Sequence, residues 1–207
     1  MEVSPSRLSR WVEGFAERHG ALSWSLADTA YLVNAADGSC ARLSTWSVAS
    51  EVPPDLTRWA DPPQRLGLLL IRRGGYAVGR AEGEQLVRHR TGTRYVQGRT
   101  AAGGWSQQRY ARRRANQVGG LVSAATDVAR EMLLDDPPEA LALGGDGALG
   151  RQLLDNGPLT PLATLPRREL FDIADPRLAV LRDCVARARA VLVSVHNADT
   201  PSGASPS

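Results

Sequence analysis

The stretch LGLLLIRRGGYAVGRAEGEQLVRHRT, residues 66–91, is where the fold can be read. Two apolar runs, Leu66–Arg72 and Tyr76–Ala81, flank a Gly74–Gly75 turn, which is the pattern of a β-hairpin. Gln85–Thr91 supplies a further strand. Upstream, Leu22–Leu26 and Ala30–Asn34 lead through an Asp37–Gly38 turn to Cys40–Val48, again strand-like and hairpin-forming. Ahead of these, residues 5–19 place Leu8, Trp11, Val12 and Phe15 at helical spacing, with Ser4 as N-cap, Pro5 in the first turn and Gly20 as the stop. Between the two strand groups lies Glu51–Gln64, whose four prolines predict an irregular surface connection.

Downstream the texture changes. Thr91–Gly104 is rich in Gly and Thr and predicts a mobile loop. From Ser106, read as the cap, a helix runs to Leu134, with Tyr110, Val118, Leu121, Ala125, Val128 and Met132 on one face. Arg109, Arg112, Arg113 and Asn116 share the opposite face. Arg114 falls on the apolar stripe, and Gly119–Gly120 costs about 1 kcal/mol per glycine inside a helix, so a kink or close packing on a sheet is expected there. After Pro137–Pro138 the pattern is βαβ-like: strand Ala140–Leu143, helix Ala148–Leu154, a strand at Leu159–Leu165 or Leu170–Ile173, helix Pro176–Arg189 and strand Ala190–Val195. The sum is an α/β fold: a single mixed sheet, an N-terminal antiparallel meander and then a βαβ-like segment, with helices on its faces. Residues 1–197 read as one domain and 198–207 as a disordered tail.

Composition limits the function. The chain has 207 residues, 43% hydrophobic and 23% charged, as in an ordinary globular protein. No stretch approaches the roughly 20 apolar residues of a membrane span, and the charged N-terminus does not read as a secretory signal. Cys40 and Cys184 stand alone, which suits a reducing cytoplasm. All 25 positive side chains are arginine. A GC-rich genome accounts for part of that, yet the absence of lysine excludes a lysine-bearing phosphate loop and a Schiff-base enzyme.

The charge is uneven. Between Gln85 and Thr126 lie Arg88, Arg90, Arg94, Arg99, Arg109, Arg112, Arg113 and Arg114, with no Asp or Glu. That segment carries +8 against an overall +3, so the remainder carries −5. Guanidinium forks match phosphate geometry, and such crowding is relieved by a polyanion, so nucleic-acid binding is expected.

Other chemistries fit poorly. His19, His89 and His196 are scattered and lack metal-ligand spacing, so no metal or other cofactor is expected. Gly104–Trp105–Ser106 starts a nucleophile elbow, but Gln108 stands where its last glycine belongs. Asp28, Asp37 and Asp172 are available to a two-metal nuclease, yet the acidic residues avoid the basic segment. GGDG at residues 144–147 reads as a plain turn.

What remains is GRTAAGGWSQQRYARRRANQ, residues 98–117: a Gly-rich arm leading into a helix with an arginine face. Helix N-terminus and arginines both favour phosphate. The arm presents two neutral amides, Gln107 and Gln108. A glutamine is a poor general base, but it can position a water, and its backbone N–H can stabilise developing negative charge, enough for an activated ester.

This segment resembles the catalytic stretch of Vms-like release factors, peptidyl-tRNA hydrolases related to the middle domain of the eukaryotic and archaeal termination factor. Gly104–Trp105–Ser106–Gln107 takes the place of the family's Gly-x-x-Gln, and Arg113–Arg114–Ala115–Asn116–Gln117 resembles its Arg-Arg-x-Asn-Glu/Gln. The resemblance implies an RNase H-like fold and a cytoplasmic monomer that works at the peptidyl-transferase centre of the large ribosomal subunit, freeing stalled chains from peptidyl-tRNA. It implies Gln107 as the catalytic residue, its spacing preferred over Gln108. Gly103, Gly104, Trp105, Ser106 and Gln108 would form the catalytic loop, and Arg99, Arg109, Arg112, Arg113, Arg114 and Asn116 would bind RNA. Two alternatives stay open: a non-catalytic RNA- or ribosome-binding protein, and an endonuclease cutting tRNA near its 3′ end.

Overall fold

The computed structural model describes residues 1–52, 54–93, 105–155 and 157–198; the side chains of residues 105–111 and of Arg114 lie outside the description. In chain order the elements begin β1 (Glu2–Val3), α1 (Leu8–His19), β2 (Leu22–Ala27), β3 (Ala30–Ala35), β4 (Cys40–Ser44) and α2 (Leu56–Ala60). They continue β5 (Arg65–Arg72), β6 (Gly75–Glu82), β7 (Gln85–Thr93), α3 (Trp105–Leu133), β8 (Ala140–Gly145) and α4 (Gly147–Asp155). The last are α5 (Thr160–Ala163), β9 (Arg167–Leu170), α6 (Leu178–Arg189) and β10 (Val191–His196).

The strands form two sheets, where a single mixed sheet was expected. One has the order β1-β10-β4-β3-β2 and the other β7-β6-β5-β8-β9. Strand β5 pairs antiparallel with β6 on one side and parallel with β8 on the other, so the N-terminal meander does not pair beside it. The meander instead takes back the C-terminal strand, with Leu192 opposite Ser44 and His196 opposite Cys40. The chain accordingly divides into two compact units, Met1–Pro62 with Arg189–Ser207, and Pro63–Ala188.

In the first unit α1 covers one sheet face. Leu8 and Phe15 are buried against Tyr31, Val33, Leu43, Val191 and Val193, while Trp11 and Val12 pack at the margin of that core. The expected stripe is therefore the one used. Ser4 makes no side-chain cap, and residues Pro5–Arg7 wind as a 3₁₀ turn before the α-helix proper. Gly20 ends the helix at φ 88, a conformation that costs glycine little. The Asp37–Gly38 turn is closed by Asp37, whose carboxylate accepts from the Ser39 N–H at 2.8 Å. Strand β4 stops at Ser44, short of the expected Val48. The Pro-rich connection contains a short helix after all. Asp55 caps α2 by accepting from the Thr57 and Arg58 N–H groups at 3.1 Å, and prolines flank the helix without entering it.

In the second unit the hairpin, the third strand, and the helices and strands that follow appear as read, with one exchange. Leu159–Leu165 is a 3₁₀ turn followed by α5, and the strand lies at Arg167–Leu170, ending where the alternative Leu170–Ile173 was to begin. Helices α3, α4 and α5 pack on one face: Leu121, Val122, Ala125 and Ala129 share a core with Leu69, Ile71, Tyr76, Val78, Leu149 and Leu162. Helix α6 lies on the other face, where the space above Gly79 is filled by Leu181. Buried Arg168 donates to the Ala188 carbonyl at 2.8 Å and so caps the C-terminus of α6. Of the expected tail at residues 198–207, Ala198 donates its N–H to Ser39 Oγ at 3.0 Å, and 199–207 lie outside the described residues.

Candidate nucleic-acid interface

Helix α3 carries the candidate site. At 29 residues it is roughly 43 Å long, taking 1.5 Å per residue. Its two ends differ in environment. From Leu121 onward, Leu121, Val122, Ala125, Ala129, Met132 and Leu133 are buried against the sheet and α4. Before that, Arg112, Arg113, Ala115 and Asn116 are all exposed, and Gln117 and Val118 are half-buried. Most helical stability in proteins comes from tertiary packing, so the packed C-terminal part supports the exposed N-terminal part.

The backbones of Trp105, Ser106, Gln107, Gln108 and Arg109 belong to the first turns of this helix. Ser106, read as the cap, is therefore the second residue of the helix. Arg99, Gly103 and Gly104 lie outside the described residues, as does the loop expectation for residues 94–104; Thr91–Thr93 extend β7 instead. The helix is unbroken across Gly119–Gly120, and a Cβ on Gly119 would meet nothing within 4 Å. Close packing on the sheet is thus not what places Gly119 there.

Strand β7 runs alongside as the edge of its sheet, with Arg88, His89 and Arg90 exposed. Register places Arg90 opposite Val78 and Arg88 opposite Arg80, on the face that α3 covers. The basic segment is not wholly without acidic partners, because Arg90 reaches Glu131 of α3 at 2.8 and 3.3 Å. Arg80 is buried and neutralised by Asp136 and Glu82. Arg88, Arg112 and Arg113 have no carboxylate partner among the described residues. Among the described residues of the basic segment, these three are the cations left for an external anion.

The residues weighed for other chemistry have structural roles. His19 bonds Asp37 at 2.8 Å and packs on the Phe15 ring. Asp37 is held below the ordinary carboxylate value by that His19 hydrogen bond first, and then by the Ser39 N–H. Asp172 is held low by Arg187, which donates to it at 2.7 Å. Asp28 faces Arg42 at 3.7 Å. No group of three or more His, Cys, Asp or Glu side chains able to hold a metal occurs among the described residues. GGDG is the turn from β8 into α4: Gly145 has φ 94, and Asp146 caps the helix by accepting from Ala148 and Leu149. No helix among the described residues is long and apolar enough to cross a membrane.

The family profile of acVLRF1, the Actinobacteria/chloroflexi VLRF1 release factor, matches residues 64–194. The chain belongs to this family. The acVLRF1 match begins one residue before β5, runs through α3 and reaches into β10, so the arginine helix lies inside it. It bears out the Vms-like release factor resemblance carried by residues 98–117. No curated protein matches the chain. Among solved structures the chain is similar to one described as "Vms1 mitochondrial localization core", at 10% identity and a TM-score of 0.47, covering 91% of this chain and 81% of that one.

Proposed function

We propose that this acVLRF1-family protein is a peptidyl-tRNA hydrolase that releases stalled nascent chains at the peptidyl-transferase centre of the large ribosomal subunit. The observation that carries the proposal is the division of α3 into a core half and an exposed half bearing Arg112, Arg113 and Asn116. An exposed helix with unpaired guanidinium groups suits phosphate, and its first turn is where the candidate glutamine lies. Gln107 is the third residue of the helix, so its backbone N–H is among the first four, which have no intrahelical acceptor. That N–H would stabilise the oxyanion while the side-chain amide positions the attacking water. Gly103, Gly104, Trp105, Ser106 and Gln108 would form the catalytic loop, with Arg99, Arg109 and Arg114 adding to the RNA grip.

In this reading residues 1–197 work as one release-factor unit, monomeric when free, cytoplasmic, and needing neither metal nor other cofactor. Three antiparallel strands followed by two added in parallel, in the order β7-β6-β5-β8-β9, support an RNase H-like description of the second unit. The test is incubation with large subunits carrying peptidyl-tRNA, followed by analysis of the tRNA 3′ end. Free peptide and full-length tRNA are expected. A shortened tRNA would make the protein a nuclease, and binding without any product would make it an RNA-binding factor.

A further inference from the structure

A second site is visible at the C-terminal ends of the parallel strands, lined by no residue of the arginine helix. Strands β8 and β9 are neighbours, yet the chain leaves them toward opposite faces: β8 leads into α4 on the α3 side, whereas β9 leads to α6 on the other. Adjacent parallel strands whose connections diverge in this way leave a crevice beyond their carboxyl ends, where ligands of open α/β sheets bind. Here that crevice is a cleft of about 380 Å³, within the ~300–1,000 Å³ of small-molecule sites. Its walls are Arg72, Arg73 and Gly74 from the β5–β6 turn, Gly145 and Asp146 after β8, and Phe171 and Asp175 after β9.

We propose that this cleft binds a ribonucleotide, independently of the release reaction proposed above. The groups present are those such a ligand needs. Phe171 is 41% exposed, an apolar ring left open to stack on a base. Arg72 spends one N–H on the Ile173 carbonyl at 2.8 Å and stands 3.8 Å from Asp175, too far for a hydrogen bond. Arg73, two-thirds exposed, stands 3.9 Å from Asp146. Both guanidinium groups thus keep donors for a phosphate. Asp175 can accept from a ribose hydroxyl, as acidic residues do in nucleotide clefts. Asp146 already caps α4, so phosphate falls to the arginines and not to the helix end. Gly145 lets the end of β8 lie close against β5: a Cβ there would come within 2.2 Å of the Ile71 carbonyl oxygen.

The experiment is an NMR titration of the full chain with adenosine 5′-monophosphate, with adenosine and inorganic phosphate as separate arms. Saturable shifts at Gly74, Gly145 and Phe171 are expected, with the nucleotide binding more tightly than either fragment. Phe171→Ala should weaken binding about 5- to 100-fold, the range for losing one base stack. Arg73→Gln, a change at an exposed position that leaves the fold intact, should weaken nucleotide and phosphate alike. A short single-stranded oligoribonucleotide that displaces the nucleotide assigns the cleft to an RNA end; failure to displace it assigns a free nucleotide. Shifts confined to residues 112–116, equal binding of phosphate and nucleotide, or affinity unchanged in both variants would overturn the proposal.

Discussion

Arg90 on β7 and Glu131 on α3, 41 positions apart, form a two-pronged ion pair with N–O distances of 2.8 and 3.3 Å. It withdraws one arginine from the basic segment and leaves Arg88, Arg112 and Arg113 to meet an external anion. Both partners are half-exposed, so the pair is worth less than about 1 kcal/mol. Glu131→Gln should therefore barely change stability while freeing one cation. The log–log salt slope of RNA binding should steepen by up to about 1, whereas replacing Arg112 and Arg113 together should flatten it by about 2. Filter binding of tRNA at several salt concentrations measures both slopes. Parent-like slopes in the double variant would reduce the arginine face to a solvated surface.

Gln107→Ala should slow peptide release on the order of 100–1,000-fold, the usual cost of removing one preorganised donor. Ribosome binding should stay near the parent level, because the arginines are untouched. Gln108→Ala should be milder, and EDTA should change neither activity on intact subunits. Single-turnover release paired with a sedimentation assay separates chemistry from binding. Full hydrolysis by Gln107→Ala would refute the assignment.

Gly119→Ala should raise stability by about 0.5–1 kcal/mol. Position 119 is exposed, helical and open on the Cβ side, so alanine gains helix propensity without a clash. The urea midpoint reads this directly. A lower midpoint would mean that the glycine pair relieves strain the continuous helix conceals.

Arg80 and Asp136 are joined twice, side chain to side chain and through the Asp136 carbonyl at 3.3 Å. Asp136 also reaches Arg65 at 3.2 Å, tying the end of α3 to the sheet. The Arg80 side chain is only 8% exposed, and its Nε has no partner. Asp136→Ala should cost on the order of 2 kcal/mol, less than a wholly buried pair because Asp136 is half-exposed. Arg80→Met added to it should recover part of that loss, since the buried charge left with Glu82 alone goes as well. A double variant no more stable than Asp136→Ala would argue against this account.

Stability should fall on acidification. Asp37 and Asp172 are held below the ordinary carboxylate value by His19 and Arg187 respectively. Burial acts to raise Glu139, but the Gln64 N–H and Arg65 outweigh it and hold it low as well. A depressed folded value favours the ionised native state, so its contribution is complete above the unfolded value and is lost as pH falls through the folded one. The loss should begin near pH 4 and deepen below it. Urea midpoints across that range should fall less steeply for Asp172→Asn than for the parent. Identical acid limbs would remove this residue from the account.

The sequence by itself determined what is local. Apolar spacing of 3.6 marked α3 from Val118 to Met132, and paired runs around Gly74–Gly75 marked the β5–β6 hairpin. The Gly-x-x-Gln and Arg-Arg-x-Asn spacing pointed to the release factor family before any coordinate was needed. Period and turn chemistry involve neighbours in the chain, so they can be read from one stretch at a time. The tertiary structure decided what depends on distant partners. Nothing within Val191–His196 says that it pairs with Cys40–Ser44; the partner strand lies about 150 positions away in the chain and is reached only by folding. The short helix Leu56–Ala60 hid among prolines because its Asp55 cap outweighs a composition that reads as loop. Glu131 lies outside the basic run, and only the packing of α3 on β6 and β7 brings it to Arg90. The cleft of Arg72, Arg73, Phe171 and Asp175 likewise exists only because parallel pairing gathers the ends of three strands at one edge.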